Sequence, residues 1–599
     1  MLWFLLVISS TVLGNFIIRL ITGKNFALML HISISWLIGV FATSFSIYIF
    51  NFIFPLNGFF ALLIICSECF LCYKIREFMK LKHQKSMFKI SIEKYQNIYL
   101  LCFLFSIIAI VHLWASYIRF PNKIPKMGME IFDTEKSFIS SLRYGINRRR
   151  KNIFFYEDPM VHKQYFNLDC LALIYMAALD SLGAGYEEAS VFVCFLNIIV
   201  TTNLIYYFAK DKSKNALLIS LCFMLNGGWA FYRFYFGSKC NDTDFLHTTC
   251  SGIDIPWYQT LGFVLSYSKS ASFTVPMILA IHVLMQNRLS QKHIYRNKFC
   301  ILAGVIAIFM PNLMGSISVF LFYSCFSEYH NYFMPFALSI LPKLIHSKLR
   351  NYPIWRETQM KGLFFSPIRI IINSLGPMFI TSIFPFLTNF TVESIHKSSV
   401  YLSCYIILLI IRNGNDAFEN IVAITGLILP FFCVSFLNSL HYILILAKNK
   451  ILKGFVQGII IFTFITFIAG GIISIISSEK NLITGLNQHD IKCGNWIKKN
   501  IPSNEVILTE GLSLDPSVFI AGRQIISGNL KELWKRGANI FNSYLIVKEV
   551  KESDDLIGIM ERESIHYILC LNFSKICRQS ESQINRTVFK NEKWTIYHI

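Results

Sequence analysis

Glu130 and Asp133 lie three residues apart, which puts both carboxylates on one side of a helical turn. Such a pair can bind a divalent cation, or take a proton from a hydroxyl as a general base. Glu157-Asp158-Pro159 repeats the theme, with a proline that fixes a turn after two acids and suits either a ligand or a loop exit. Between the two groups runs Arg148-Arg149-Arg150-Lys151, with Lys163 and Tyr165 close behind. Clustered cations of this kind can hold an anion such as a phosphate. The plain alternative is a solvated loop whose acids balance its own arginines.

Two further stretches carry polar chemistry. "CNDTDFLHTTCSGIDIPWYQT" contains Cys240 and Cys250, which could pair in an oxidising compartment, and the glycosylation sequon Asn241-Asp242-Thr243. It ends on Trp257 and Tyr258, which read either as an interfacial aromatic belt or as the wall of a sugar or lipid site. "IIRNGNDAFENIVAI" brings Arg412, Asp416, Glu419 and Asn420 between two apolar segments. The planar fork of Arg412 suits a phosphate and equally a structural ion pair. The P-loop, dinucleotide and nucleophile-elbow motifs do not occur in a strand-turn-helix setting, so nucleotide hydrolysis and serine-hydrolase chemistry find no support. Cys66, Cys69 and Cys72 have a metal-like spacing but sit in an apolar segment without a nearby histidine.

These groups must be positioned by a membrane protein. The 599 residues are 54% hydrophobic and 15% charged, with a mean hydropathy of +0.50. Stretches such as 2–20, 99–117 and 454–476 are long enough to cross roughly 30 Å of hydrocarbon as helices. The first is expected to be a retained helix rather than a cleaved signal. The net charge of +21 comes mostly from short basic connections, which orient a membrane protein and do not call for nucleic acid.

Placing the connections 74–94, 210–214, 288–298 and 448–453 in the cytoplasm gives about 14 crossings. The apolar piece 168–182 must then stay out of the count, as a helix lying in or dipping into the interface. The expected organisation is N-terminal transmembrane helices over 1–117, a first catalytic extracytoplasmic loop with an interfacial helix over 118–186, a transmembrane core over 187–477, and a soluble extracytoplasmic α/β domain over 478–599. The fold class is an all-α polytopic membrane protein carrying that small domain. Within it, "IKCGNWIKKNIPSNEVILTEG" and "LIGIMERESIHYILCL" each read as helix then strand.

Several short motifs in this order resemble the GT-C superfamily of integral-membrane glycosyltransferases, and most closely a branch of bacterial and fungal GT-C-like membrane proteins. They are Asp133-Thr134-Glu135 with Phe138, Glu157-Asp158-Pro159, Tyr165-Phe166-Asn167, Leu225-Asn226-Gly227-Gly228, Ile255-Pro256-Trp257-Tyr258, Glu419-Asn420 after Arg412, Asn495-Trp496-Ile497 with Pro502, and Ala521-Gly522-Arg523. Histidines usual in that branch are replaced by Lys136 or Ser137, Phe166 and Asn312.

The resemblance implies hexosyl or pentosyl transfer from a polyprenyl-phosphate carrier to a glycan, lipid or protein acceptor. It implies Asp133, Glu130, Glu157 and Asp158 as catalytic groups, with Asp133 and Asp158 available to a divalent cation, Mg or Mn. Arg148, Arg149, Arg150, Lys163 and Arg412 would hold the donor phosphate, and Tyr165, Trp257, Tyr258, Glu419 and Asn420 the substrate. The membrane would be a bacterial inner membrane, with the endoplasmic reticulum as alternative and the active face extracytoplasmic. The competing functions are a noncatalytic scaffold of the same fold and a transporter or flippase of a lipid-linked sugar.

Overall fold

The computed structural model describes residues 2–22, 26–81, 96–113, 123–125, 129–166, 171–210, 212–213, 215–227, 240–244, 247–250, 253–256, 260–261, 269–289, 301–306, 418–446, 449–480, 482–530, 533, 538, 541–553, 555–584 and 586–599. In chain order its helices are α1 (Leu2–Thr22), α2 (Leu28–Phe50), α3 (Gly58–Leu81), α4 (Gln96–Leu113), α5 (Met129–Tyr144), α6 (Leu171–Ser181), α7 (Tyr186–Lys210) and α8 (Ala216–Met224). They continue with α9 (Lys269–Leu289), α10 (Phe418–Leu446), α11 (Lys450–Lys480), α12 (Gln488–Asn500), α13 (Pro516–Phe519), α14 (Phe541–Glu552), α15 (Leu556–Glu563) and α16 (Lys575–Gln583). The strands are β1 (Lys123–Pro125), β2 (Cys240–Asp244), β3 (His247–Cys250), β4 (Ile253–Pro256), β5 (Leu482–Thr484), β6 (Val506–Leu508), β7 (Gln524–Ile525), β8 (Tyr567–Leu571), β9 (Thr587–Lys590) and β10 (Trp594–His598).

Among the described residues, five helices are long and apolar enough to cross a membrane: α1, α2, α3, α7 and α11. The expected crossings at 313–327, 332–346, 367–390 and 399–411 lie outside the described residues, so the total near 14 is not established. Small residues let α1 and α2 approach closely, since a Cβ on Gly14 would stand 2.0 Å from the Ser35 carbonyl oxygen and one on Gly39 2.0 Å from that of Ser10. Glu68 is the acidic residue in the middle of α3. It is buried, and the Ser9 hydroxyl donates to it at 2.5 Å and the Thr43 hydroxyl donates as well.

The non-spanning piece is α6, whose 11 residues cannot cross a bilayer. Leu173 through Leu179 are wholly buried, because α6 packs against α2, α5 and α7.

The C-terminal domain is a five-stranded sheet in the order β7-β6-β8-β10-β9, parallel across β7-β6-β8 and antiparallel beyond. Both sequence segments read as helix then strand take that form, as α12–β6 and α15–β8. Local chemistry sets the helix starts. Asn487 and Asp490 exchange side-chain and backbone bonds of 2.8 Å as a capping box for α12, and Asp515 caps α13 ahead of Pro516.

The first loop and this domain are joined. β1 pairs antiparallel with β5, so the chain after α4 and the chain after α11 lie on one side of the spans. Residues 159–162 run along the outer edge of β7: Ile525 N–H donates to Pro159 O at 3.0 Å, His162 N–H to Ile526 O at 3.2 Å, and Gly528 N–H to Met160 O at 2.7 Å. An open sheet edge is thereby covered by the loop. Apolar residues complete the joint, with Phe138, Tyr156 and Phe166 in the same buried cluster as the membrane helices, and Met160 and Val161 in the core of the C-terminal domain.

Candidate functional site

The site is built around α5, a polar helix enclosed between α6 and α13. Asp133, Thr134, Glu135, Ser137, Ser140 and Ser141 are all buried, which demands partners for their polar atoms. Asp133 accepts the Leu514 backbone N–H at 3.0 Å and the Ser137 hydroxyl at 3.4 Å. Leu514 presents that N–H from a left-handed conformation, φ +57°, which is costly for a leucine. Ser140 donates to Phe519 O at 2.7 Å. The contact is backbone to backbone at Gly145, where a Cβ would stand 1.6 Å from Gly522 O.

Arg523 closes the joint. Its buried guanidinium donates to Tyr144 O at 2.5 Å at the end of α5, and to Lys498 O at 3.1 Å and Ile501 O at 2.7 Å at the end of α12. Two helix C-termini, each with carbonyls lacking an intrahelical donor, share one cation. This is the arginine of the Ala521-Gly522-Arg523 motif, whose residues the sequence reading did not place among the site residues.

The other predicted acids take different positions. Glu157 is half-buried and pairs with the exposed Lys151 at 3.4 Å. Asp158 is fully buried and accepts the Met160 N–H at 2.9 Å in a local turn, while Gln524 donates to its backbone oxygen at 2.9 Å. Glu130 lies in α5, its side chain outside the described residues.

Among the described residues the predicted cations do not converge. Arg148 and Arg149 are exposed, with Arg149 Nε donating to Phe52 O at 3.3 Å. Arg150 is buried, its guanidinium 4.0 Å over the Tyr48 ring and 5.4 Å from that of Tyr156. Lys163, in a left-handed turn, reaches Glu563 at 3.3 Å. Tyr165 is exposed, its hydroxyl accepting from Asn152 at 3.3 Å.

Phe166, where the resembled branch has histidine, stacks on Phe138 at 4.0 Å. Trp257, Tyr258 and Arg412 lie outside the described residues, and Glu419 and Asn420 are described only as backbone in α10. The ladder between β2 and β3 sets Cys240 opposite Cys250.

For a divalent cation the described residues do not fit: among them no three His, Cys, Asp or Glu side chains gather. The described contacts of Asp133 and Asp158 are with N–H and O–H donors.

No protein-family model matches the chain, and no curated protein does. Among solved structures it is similar to the archaeal oligosaccharyltransferase AglB of Archaeoglobus fulgidus in complex with an inhibitory peptide and a dolichol-phosphate, at 10% identity and a TM-score of 0.46, over 79% of this chain and 69% of that one. The Archaeoglobus fulgidus oligosaccharyltransferase tethered to an acceptor peptide gives 9% identity and 0.46, over 83% and 73%. Its apo form gives 10% and 0.47, over 80% and 70%. These are distant likenesses, and the roles of residues here rest on this chain's own geometry.

Proposed function

We propose that this chain is a membrane glycosyltransferase that moves a hexosyl or pentosyl group from a polyprenyl-phosphate carrier to an extracytoplasmic glycan, lipid or protein acceptor. The observation that carries the reading is the buried Asp133 carboxylate, held where the membrane helices, the first loop and the C-terminal domain meet. In the proposed step the acceptor oxygen bonds to the anomeric carbon and gives its proton to Asp133. The bond from that carbon to the carrier phosphate breaks, and its electron pair stays on the phosphate.

Glu130, Glu157 and Asp158 assist, and the charge gathering on the phosphate is met by Arg412 and not by Arg148, Arg149, Arg150 and Lys163 together, which do not converge. Tyr165, Trp257, Tyr258, Glu419 and Asn420 line the substrate. The proposed membrane is a bacterial inner membrane or that of the endoplasmic reticulum.

A noncatalytic scaffold is the second reading, favoured by one observation: the contacts of Asp133 tie α5 to the C-terminal domain. Asp133→Asn separates the two, because it keeps the shape and removes the charge. Transfer is measured from a polyprenyl-phosphate sugar, with thermal unfolding in parallel. The transferase reading expects turnover to vanish while stability changes by about 1 kcal/mol. A wild-type chain without transfer, or a variant that unfolds, supports the scaffold.

A further inference from the structure

The cations that do gather on this face of the molecule are ones that no charge run in the sequence points to. Lys136 and Arg143 stand two helical turns apart on α5, and Lys498 reaches the Arg143 end of that helix from the last turn of α12. Arg143 pairs with Asp180 of α6, Nε to Oδ2 at 3.0 Å, and lies 5.0 Å from the Tyr144 ring. Lys498 Nζ sits over that ring at 3.1 Å. Lys136 Nζ sits over the Tyr186 ring at 4.1 Å, at the start of α7.

All three cations are half-buried. Among the described residues only Asp180 comes within ion-pair distance of any of them, and it is taken by Arg143. The exposed Glu187 bears on Lys136 from further off, and Arg523 below is spent on backbone carbonyls.

Two ammonium groups are thus partly desolvated beside a guanidinium, with aromatic faces as neighbours and no carboxylate of their own. Removing cations from water with carboxylates only beyond ion-pair distance is unfavourable, and aromatic faces offset only part of that cost. Both ammonium groups are pushed below the usual lysine range, Lys136 by burial and Lys498 by burial and then by Arg143.

We infer that Lys136, Arg143 and Lys498 form a binding site for a phosphate group at the joint of the first loop and the C-terminal domain. Two lysines supply point charges and Arg143 a planar donor, the set that phosphate oxygens use. The site stands without the transferase reading, since it asks only for binding. The phosphate can belong to a lipid headgroup or to a soluble molecule, and the two sources are separable.

The test uses the full chain in detergent micelles, titrated calorimetrically with inorganic phosphate and with farnesyl phosphate, farnesol serving as the tail control. The wild type is expected to bind a phosphate probe and not farnesol. Tighter binding of farnesyl phosphate marks a lipid source, and equal binding a soluble one. Lys136→Gln and Lys498→Gln are each expected to weaken binding about tenfold. Lys499→Gln, one residue along and exposed, is expected to leave it unchanged.

Lys136→Arg with Lys498→Arg keeps the charges and covers the case in which a glutamine variant fails to fold. It is expected to retain most of the affinity. No phosphate binding by the wild type, or equal losses in Lys498→Gln and Lys499→Gln, overturns the inference.

Discussion

The two ends of the same loop teach different lessons about charge. At the tip, Arg148, Arg149 and Lys151 form the densest cationic run in the region, yet they are exposed, with Arg149 on Phe52 O and Lys151 on Glu157. At the joint, Gly145, Gly522 and the single Arg523 meet backbone directly, with no surplus of charge in the sequence to announce them. A cation in water is screened and replaceable, whereas one surrounded by carbonyls satisfies groups that have no other donor. Charge density along a chain is therefore a poor guide to where charge does structural or chemical work.

The joint should break first at Gly522. Its φ is +67°, and a Cβ there would stand 2.3 Å from the Ser140 carbonyl oxygen. Neither backbone can yield, so Gly522→Ala is expected to cost about 3 kcal/mol or more and to loosen the C-terminal domain. Thermal unfolding and limited proteolysis measure both effects. A variant as stable and as protease-resistant as the parent would show that the joint is not tight.

Arg523→Lys comes next, at about 2 kcal/mol, because an ammonium cannot reach the ends of α5 and α12 together. Lysine substituting without loss in a melting experiment would show that the ends of α5 and α12 do not depend on one shared guanidinium. At the tip the effect should be smallest. Arg148→Gln combined with Arg149→Gln is expected to shift stability by no more than about 0.5 kcal/mol. A larger loss in the same measurement would make the tip part of the architecture.

Some of this was legible in the chain. The two helix-then-strand segments take that form as α12–β6 and α15–β8, because periodicity and turns act through atoms only a few residues apart. The spacing of Glu130 and Asp133 would put both carboxylates on one side of a helical turn, and both residues lie in α5, a helix within what reads as a loop. What the spacing did not carry was the partner of Asp133, which is a backbone N–H 381 residues away. Glu68 shows the same limit inside the membrane part, where two hydroxyls from α1 and α2 surround a carboxylate whose own helix gives no sign of them.

By itself the sequence determined the membrane class, the polar loop, and the alternation of helix and strand after residue 484. Hydropathy, periodicity and caps act over a few residues and are written where they act. Only the tertiary structure decided that residues 159–162 border the C-terminal sheet, that α6 is buried in protein, and that Arg143 and Lys498 meet at the Tyr144 ring. Those outcomes depend on which distant surfaces meet. A chain's local preferences do not encode that meeting until packing and hydrogen-bond satisfaction are settled together.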